Sequence, residues 1–188
     1  MVKNLTIVQA LKPFLGKPKE SLHLSAISRE LHEPHPTVRQ WLRLLEEKGI
    51  VKKAYKGRMT LYQLNFEQPN IIDYLLITEK ERVIEICDKE LVLGELISIL
   101  RNYTEVETKV LIFGSAVENF RAANDIDALV VGPISMENIR KKLEKINKEI
   151  HMIAVKSFEK VSETLKAEII KKHILIKGSE EILRWMYW

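Results

Sequence analysis

Residues 110–131 read VLIFGSAVENFRAANDIDALVV, and the reading of this stretch decides the fold. An apolar run, Val110 to Phe113, halts at Gly114-Ser115, and a second run, Ala128 to Val131, is entered through Asp125-Ile126-Asp127. Short apolar runs bounded by turn signals are the pattern of buried strands. Side chains alternate along a strand, so Asp125 and Asp127 share one face and Ile126 takes the other. Two like charges held on one sheet face are costly unless a cation offsets them. Hard divalent ions such as Mg²⁺ take carboxylate oxygens and leave positions open for phosphates. Gly114 has no Cβ and Ser115 has a free hydroxyl, so backbone amides there can approach a phosphate chain. Carboxylates, metal and phosphates together make a device for phosphoryl or nucleotidyl transfer.

The flanks supply the rest of an α/β layout. Upstream, Ile84, Cys87, Leu91, Leu96, Ile97, Leu100 and Tyr103 recur at helical spacing and predict one long helix from about Glu79 to Tyr103. Cys87 reads as a small core residue on that face. Downstream, Ser135 is a candidate cap for a helix bearing Ile139, Leu143, Ile146 and Ile150. IHMIAV then predicts a third strand, and a helix with Val161, Leu165 and Ile169 inward follows. HILIKGSEEILRWMYW closes the chain as a short strand and a terminal helix. Its Trp185, Tyr187 and Trp188 either cover the core or form a subunit contact.

The combination FGS…DIDALVV resembles the signature of the DNA polymerase β-like nucleotidyltransferases, in particular the small minimal nucleotidyltransferases of prokaryotes, over roughly residues 80 to 188. The resemblance implies that Gly114 and Ser115 bind the triphosphate of an NTP. It also implies that Asp125 and Asp127 are catalytic and hold Mg²⁺. Three departures accompany it, one being an interval from Ser115 to Asp125 slightly shorter than in the family. Family members usually carry Arg and Gly soon after the Gly-Ser turn, where this chain has AVENFRAA. Active members also place a third carboxylate on the strand after the crossover helix, and here that position falls on His151, with Glu149 the alternative on the same face. A neutral imidazole can accept a proton near pH 7 but does not replace a carboxylate's charge. The site is therefore read either as a weakened enzyme or as a fold kept for nucleotide or partner binding.

The first third of the chain has a different character. Residues 1–68 contain 12 basic and 6 acidic side chains, whereas the remainder is slightly acidic. Such a split suggests a basic module facing nucleic acid, joined to a near-neutral one. Ile7, Ala10, Leu11 and Phe14 predict a helix from Leu5 to Leu15, and Ser25 is the candidate cap of a second. HEPHP breaks the chain, with His32 and His35 read as polar turn residues, and Pro36 suits the first turn of a third helix. In that helix Val38, Trp41, Leu42 and Leu45 face inward, leaving Thr37, Arg39, Gln40 and Arg43 outward; Gly49 ends it. IVKKAY and MTLYQLN then flank Lys56-Gly57-Arg58 as a tight hairpin. Three helices and a basic hairpin resemble a winged helix-turn-helix domain. The resemblance implies binding of double-stranded DNA, with Arg39, Gln40 and Arg43 at the bases, Thr37 beside them, and Lys52, Lys53, Lys56 and Arg58 at phosphates. A protein-interaction or dimerisation role is the alternative.

The expected fold is α+β: an N-terminal winged helix-turn-helix over 1–67, a linker over 68–80 and a nucleotidyltransferase-like α/β domain over 81–188, with a small mixed sheet flanked by helices. The single cysteine excludes an internal disulfide and suits a reducing cytoplasm. No apolar run is long enough to span a bilayer, so no membrane is expected. A homodimer is an expectation for a regulator that reads symmetric half-sites.

Overall fold

The computed structural model describes residues 7–188 and divides into two units: Met1–Glu81 with Tyr187, and Arg82–Met186 with Trp188. The fold is α+β, with a three-stranded antiparallel sheet in the first unit and a four-stranded sheet in the second.

In the first unit the opening helix is split. Ile7–Leu11 is a 3₁₀ turn, and α1 (Lys12–Leu15) is α-helical; Leu5 and Thr6 lie outside the described residues. Pro13 explains the split. In one continuous helix it would lack the amide for its i−4 bond and its ring would meet that carbonyl, whereas in a first turn it costs nothing. A two-residue strand, β1 (Leu22–His23), comes next and is too short to leave a periodic signal. It is followed by α2 (Leu24–Leu31) and α3 (His35–Glu47). The cap of α2 is His23 rather than Ser25: its Nδ1 accepts from the Ser25 amide at 3.2 Å. Ser25 is drawn inside the helix because pairing of β1 with β3 ends the extended backbone at His23. His32 closes α2 in the left-handed region, φ 54°, as its reading as a turn residue expects, whereas His35 is the first residue of α3 rather than a turn residue.

Val38, Leu42 and Leu45 of α3 are fully buried, but Trp41 is only half-buried. Gly49, at φ 68°, takes the left-handed position after α3 that a side chain resists. The wing is the antiparallel pair β2 (Val51–Lys56) and β3 (Met59–Leu64), with Lys56 opposite Met59. Gly57, first of the two loop residues, has φ 61°, the sign that a type II′ hairpin turn demands there.

The single long helix expected from Glu79 to Tyr103 is two helices, α4 (Ile71–Lys89) and α5 (Leu91–Asn102), broken at Glu90 with φ −128° and ψ 87°. Residues 71–80, expected as linker, therefore lie in α4. Each half keeps its own 3.6-residue pattern, so a one-residue change of axis leaves no trace in the periodicity. The break does change which side chains are covered. Leu93, Leu96, Ile97 and Leu100 are buried, whereas Ile84 and Leu91 are 60% and 82% exposed.

The sheet of the second unit comprises β4 (Lys109–Phe113), β5 (Asp125–Val131), β6 (Glu149–Val155) and β7 (His173–Lys177), in the order β6-β5-β4-β7. β4 is antiparallel to β5 and β7, and β5 is parallel to β6, so the sheet is mixed. The parallel pair needs a crossover, and α7 (Met136–Leu143) lies within it. Alternation sends Val110, Ile112, Ile126, Ala128, Val130, Ile174 and Ile176 into one core with the apolar side of α5. Asp125, Asp127, Glu149 and His151 therefore lie on the opposite face. Of the later apolar positions, Ile146 falls after α7 and Ile150 within β6, while α8 (Glu163–Lys171) and α9 (Ser179–Tyr187) complete the chain. The hydroxyl of Ser162 caps α8, accepting from the Leu165 amide at 3.3 Å.

A carboxylate and imidazole cluster beside a glycine corner

Two strand pairings build the candidate site. In the parallel pair, Asp125 lies opposite Glu149 and Asp127 opposite His151. Period-2 alternation then sets all four side chains on one face, in two neighbouring columns. His151 Nδ1 lies 3.4 Å from Asp125 Oδ2 and 3.7 Å from Asp127 Oδ1, while its Nε2 lies 3.0 Å from Glu149 Oε1. In the antiparallel pair, Asp127 lies opposite Phe113, the last residue before the Gly114-Ser115 corner.

Gly114 is required there for two reasons. Its backbone sits at φ 81° and ψ −150°, a region closed to ordinary side chains. A Cβ on it would stand 3.0 Å from Asp127 Oδ2. The corner is thus a close approach of bare backbone to a carboxylate. Ser115 begins the short helix α6 (Ser115–Glu118) and is exposed, and the Gly114 amide donates to the Lys172 carbonyl at 3.3 Å.

The aspartates are open to solvent, with side chains 41% and 35% exposed. Among the described residues, no Lys or Arg neutralises them; His151 is the basic group between them. The nearby cations are engaged elsewhere, Lys148 with the Ala123 carbonyl and Lys172 with Glu118 at 2.8 Å. Glu149, by hydrogen bonding to the ring, raises the His151 pKa above its ordinary value; loss of solvent opposes this, and the charges of Glu149, Asp125 and Asp127 add smaller increases. One ligand atom from each of Asp125, Asp127 and His151 lies within 4.8 Å of the others, a donor set that fits a single divalent cation. Asp125, Asp127 and Gly114 thus lie together at one end of β4 and β5. Of the two alternatives for the third position, His151 faces the pair and Glu149 backs it.

Residues 94–182 match the family model described as Polymerase beta, Nucleotidyltransferase. The matched nucleotidyltransferase-like segment contains the whole cluster and its glycine corner. Among solved structures, the chain is similar to MepR, a transcription regulator of the Staphylococcus aureus multidrug efflux pump MepA, at 18% identity and a TM-score of 0.35, covering 50% of this chain and 75% of that one. It is also similar to TrmBL2, an archaeal chromatin protein, at 16% identity and a TM-score of 0.29, covering 87% and 69%. No curated protein matches it.

The residues singled out in the first unit divide into two groups. Arg39 and Arg43 of α3, Lys53 of β2 and Arg58 at the hairpin tip line one groove of about 590 Å³, together with His35 and Tyr55. Thr37, Gln40, Lys52 and Lys56 do not line it. Lys52 points away because it alternates with Lys53, and it pairs with Glu67 at 2.5 Å. Within the groove, Arg43 pairs with Glu47 at 2.9 Å and Lys53 with Glu46, whose hydrogen bond raises the Lys53 pKa. Tyr55, 74% exposed, was missed by reading charges alone. The same alternation along VKKAYK that separates Lys52 from Lys53 assigns Tyr55 to the groove side.

Among the described residues no helix is long and apolar enough to cross a membrane.

Proposed function

We propose that this chain binds DNA through its first unit and, in its second, holds a divalent cation and the phosphates of an NTP for nucleotidyl transfer. The boundaries 1–67 and 81–188 serve as the working division between these activities. The observation that carries the proposal is the convergence of Asp125 and Asp127 with the bare backbone of Gly114. Asp125 and Asp127 offer acceptor oxygens to a cation, Mg²⁺ being the ion that the family resemblance implies. A divalent ion at such a site neutralises phosphate charge that builds up during transfer. Gly114 lets bare backbone lie against Asp127 where any side chain would collide with it, and Ser115 offers a hydroxyl donor beside it.

Incubation with each α-labelled NTP and Mg²⁺ or Mn²⁺, beside the Asp125→Ala, Asp127→Ala double variant, tests this reading. Label transferred by the native chain and lost in the variant supports an enzyme. A second reading, a regulator that keeps the fold without transfer, is favoured by one feature, the imidazole in place of a third carboxylate. Metal-dependent NTP binding without transfer supports that reading.

For the first unit, the groove between α3 and the wing carries the positive side chains that a phosphate backbone requires. Arg39 and Arg43 are the base-facing candidates and Arg58 and Lys53 the phosphate contacts. Binding to random duplex that weakens steeply with salt supports this assignment, and the absence of any complex at low salt removes it.

A further inference from the structure

Both ring nitrogens of His151 face carboxylates, and this arrangement contains more information than the presence of a histidine. Nε2 is within hydrogen-bonding distance of Glu149 Oε1, at 3.0 Å. A carboxylate can only accept, so this nitrogen carries a proton. A neutral imidazole has one N–H, and spending it on Glu149 leaves the Nδ1 lone pair directed at two further acceptors, Asp125 Oδ2 and Asp127 Oδ1, at 3.4 and 3.7 Å. Nδ1 is therefore occupied in one of two ways: by a second proton in the metal-free protein, or by a cation that the two aspartates hold and that displaces this proton. The chain Glu149–His151–cation is the arrangement by which carboxylates orient metal-bound histidines, fix their tautomer and strengthen them as donors.

We propose that Glu149 and His151 give this site a nitrogen donor and so tune it toward first-row transition cations such as Mn²⁺ and Zn²⁺, away from Mg²⁺. The inference rests on the reading of Asp125 and Asp127 as a cation site. Mg²⁺ demands near-octahedral oxygen coordination, whereas imidazole suits the transition ions. The donor spacing agrees: ligands about 2.0–2.1 Å from a tetrahedral Zn²⁺ lie roughly 3.3 Å apart, close to the observed separation of Nδ1 from Asp125 Oδ2. In this role Glu149 is a positioning residue, acting on the cation through His151.

The test uses the full chain, stripped with a chelator, and titrates Mg²⁺, Mn²⁺ and Zn²⁺ separately by calorimetry. Transition ions bind most protein sites more tightly than Mg²⁺, so the decisive quantity is how the preference changes between variants. His151→Asp, which restores an oxygen donor, is expected to lower the Zn²⁺-to-Mg²⁺ affinity ratio by at least about tenfold. Glu149→Gln is expected to weaken Zn²⁺ binding by about 10–100-fold and leave Mg²⁺ binding unchanged. Bound Mn²⁺ is expected to show ¹⁴N hyperfine coupling in electron spin resonance, lost in His151→Asp. All these side chains are solvent-accessible, and circular dichroism confirms that each variant is folded. An unchanged ratio with no nitrogen coupling, while binding still depends on Asp125 and Asp127, overturns the inference and leaves the cation site standing. No divalent binding by either the native chain or His151→Asp overturns both.

Discussion

His151 lies directly across the parallel β5–β6 pairing from Asp127, its Nδ1 3.7 Å from Asp127 Oδ1. This contact sets a basic group against the acidic pair at the position where a third acid was sought. Its consequences can be measured separately from any catalytic assay.

The imidazole of His151 is expected to titrate above 6.5 in the metal-free protein, because Glu149 hydrogen bonds to the ring and the surrounding carboxylates favour its charge. Proton NMR across pH 5 to 9 follows this directly. Glu149→Gln removes the largest cause and is expected to bring the midpoint down. A folded pKa above the unfolded one contributes stability that is fully present below the unfolded value and is lost as pH rises through the folded value. The contribution is therefore present below about pH 6.5 and gone in alkaline solution. The ring is exposed, so the effect on a denaturation curve is small. A midpoint unmoved by Glu149→Gln contradicts the assignment.

Replacing Asp125 and Asp127 by Asn is expected to abolish divalent binding without unfolding the chain. Both side chains are part-exposed, and removal of two adjacent like charges relieves repulsion. The thermal midpoint in chelator should be unchanged or slightly raised, while the added stability that a bound ion gives the native protein disappears. A variant that melts well below the native chain in chelator indicates a structural role instead.

Gly114→Ala strains the corner in two ways, through φ 81° and through a Cβ placed 3.0 Å from Asp127 Oδ2. A loss of more than about 1 kcal/mol in urea denaturation is expected, together with weaker cation binding as Asp127 is displaced. Ser115→Ala, which keeps the backbone path, should leave stability nearly unchanged. Equal stability of the two variants would falsify the close-approach argument.

In the first unit, Arg58→Ala is expected to weaken DNA binding about equally for all sequences and to reduce the slope of log affinity against log salt by about 0.9. Arg39→Ala is expected to cost about 1–3 kcal/mol on a preferred sequence and to flatten discrimination there. Lys52→Ala, outside the groove and paired with Glu67, serves as the near-neutral comparison. Fluorescence anisotropy at several salt concentrations reads all three. A larger effect from Lys52 than from Arg58 places the DNA on another face.

The difference between Lys52 and Lys53 illustrates what was readable in advance. Alternation along β2 separates them, yet a tally of positive charge treats them alike. The break at Glu90 is the opposite case, since no local pattern marks it. Ser25 was a reasonable cap by residue type, but the pairing of β1 with β3 moved the start of α2 upstream to a histidine. The Ser25 departure traces to pairing between segments distant in the chain, which local propensity does not contain.

The cluster follows the same division. Alternation is a property of one strand, so the sequence by itself determined that Asp125 and Asp127 share a face, that Glu149 and His151 share a face, and that a glycine interrupts the strand before them. Which of the second pair stands against the first depends on the register between β5 and β6, two strands joined by a crossover. That register is set by the packing of Ile126, Ala128, Ile150 and Met152 on the far side of the sheet. Tertiary structure alone therefore decided that the imidazole faces the aspartates and that Glu149 holds it from behind.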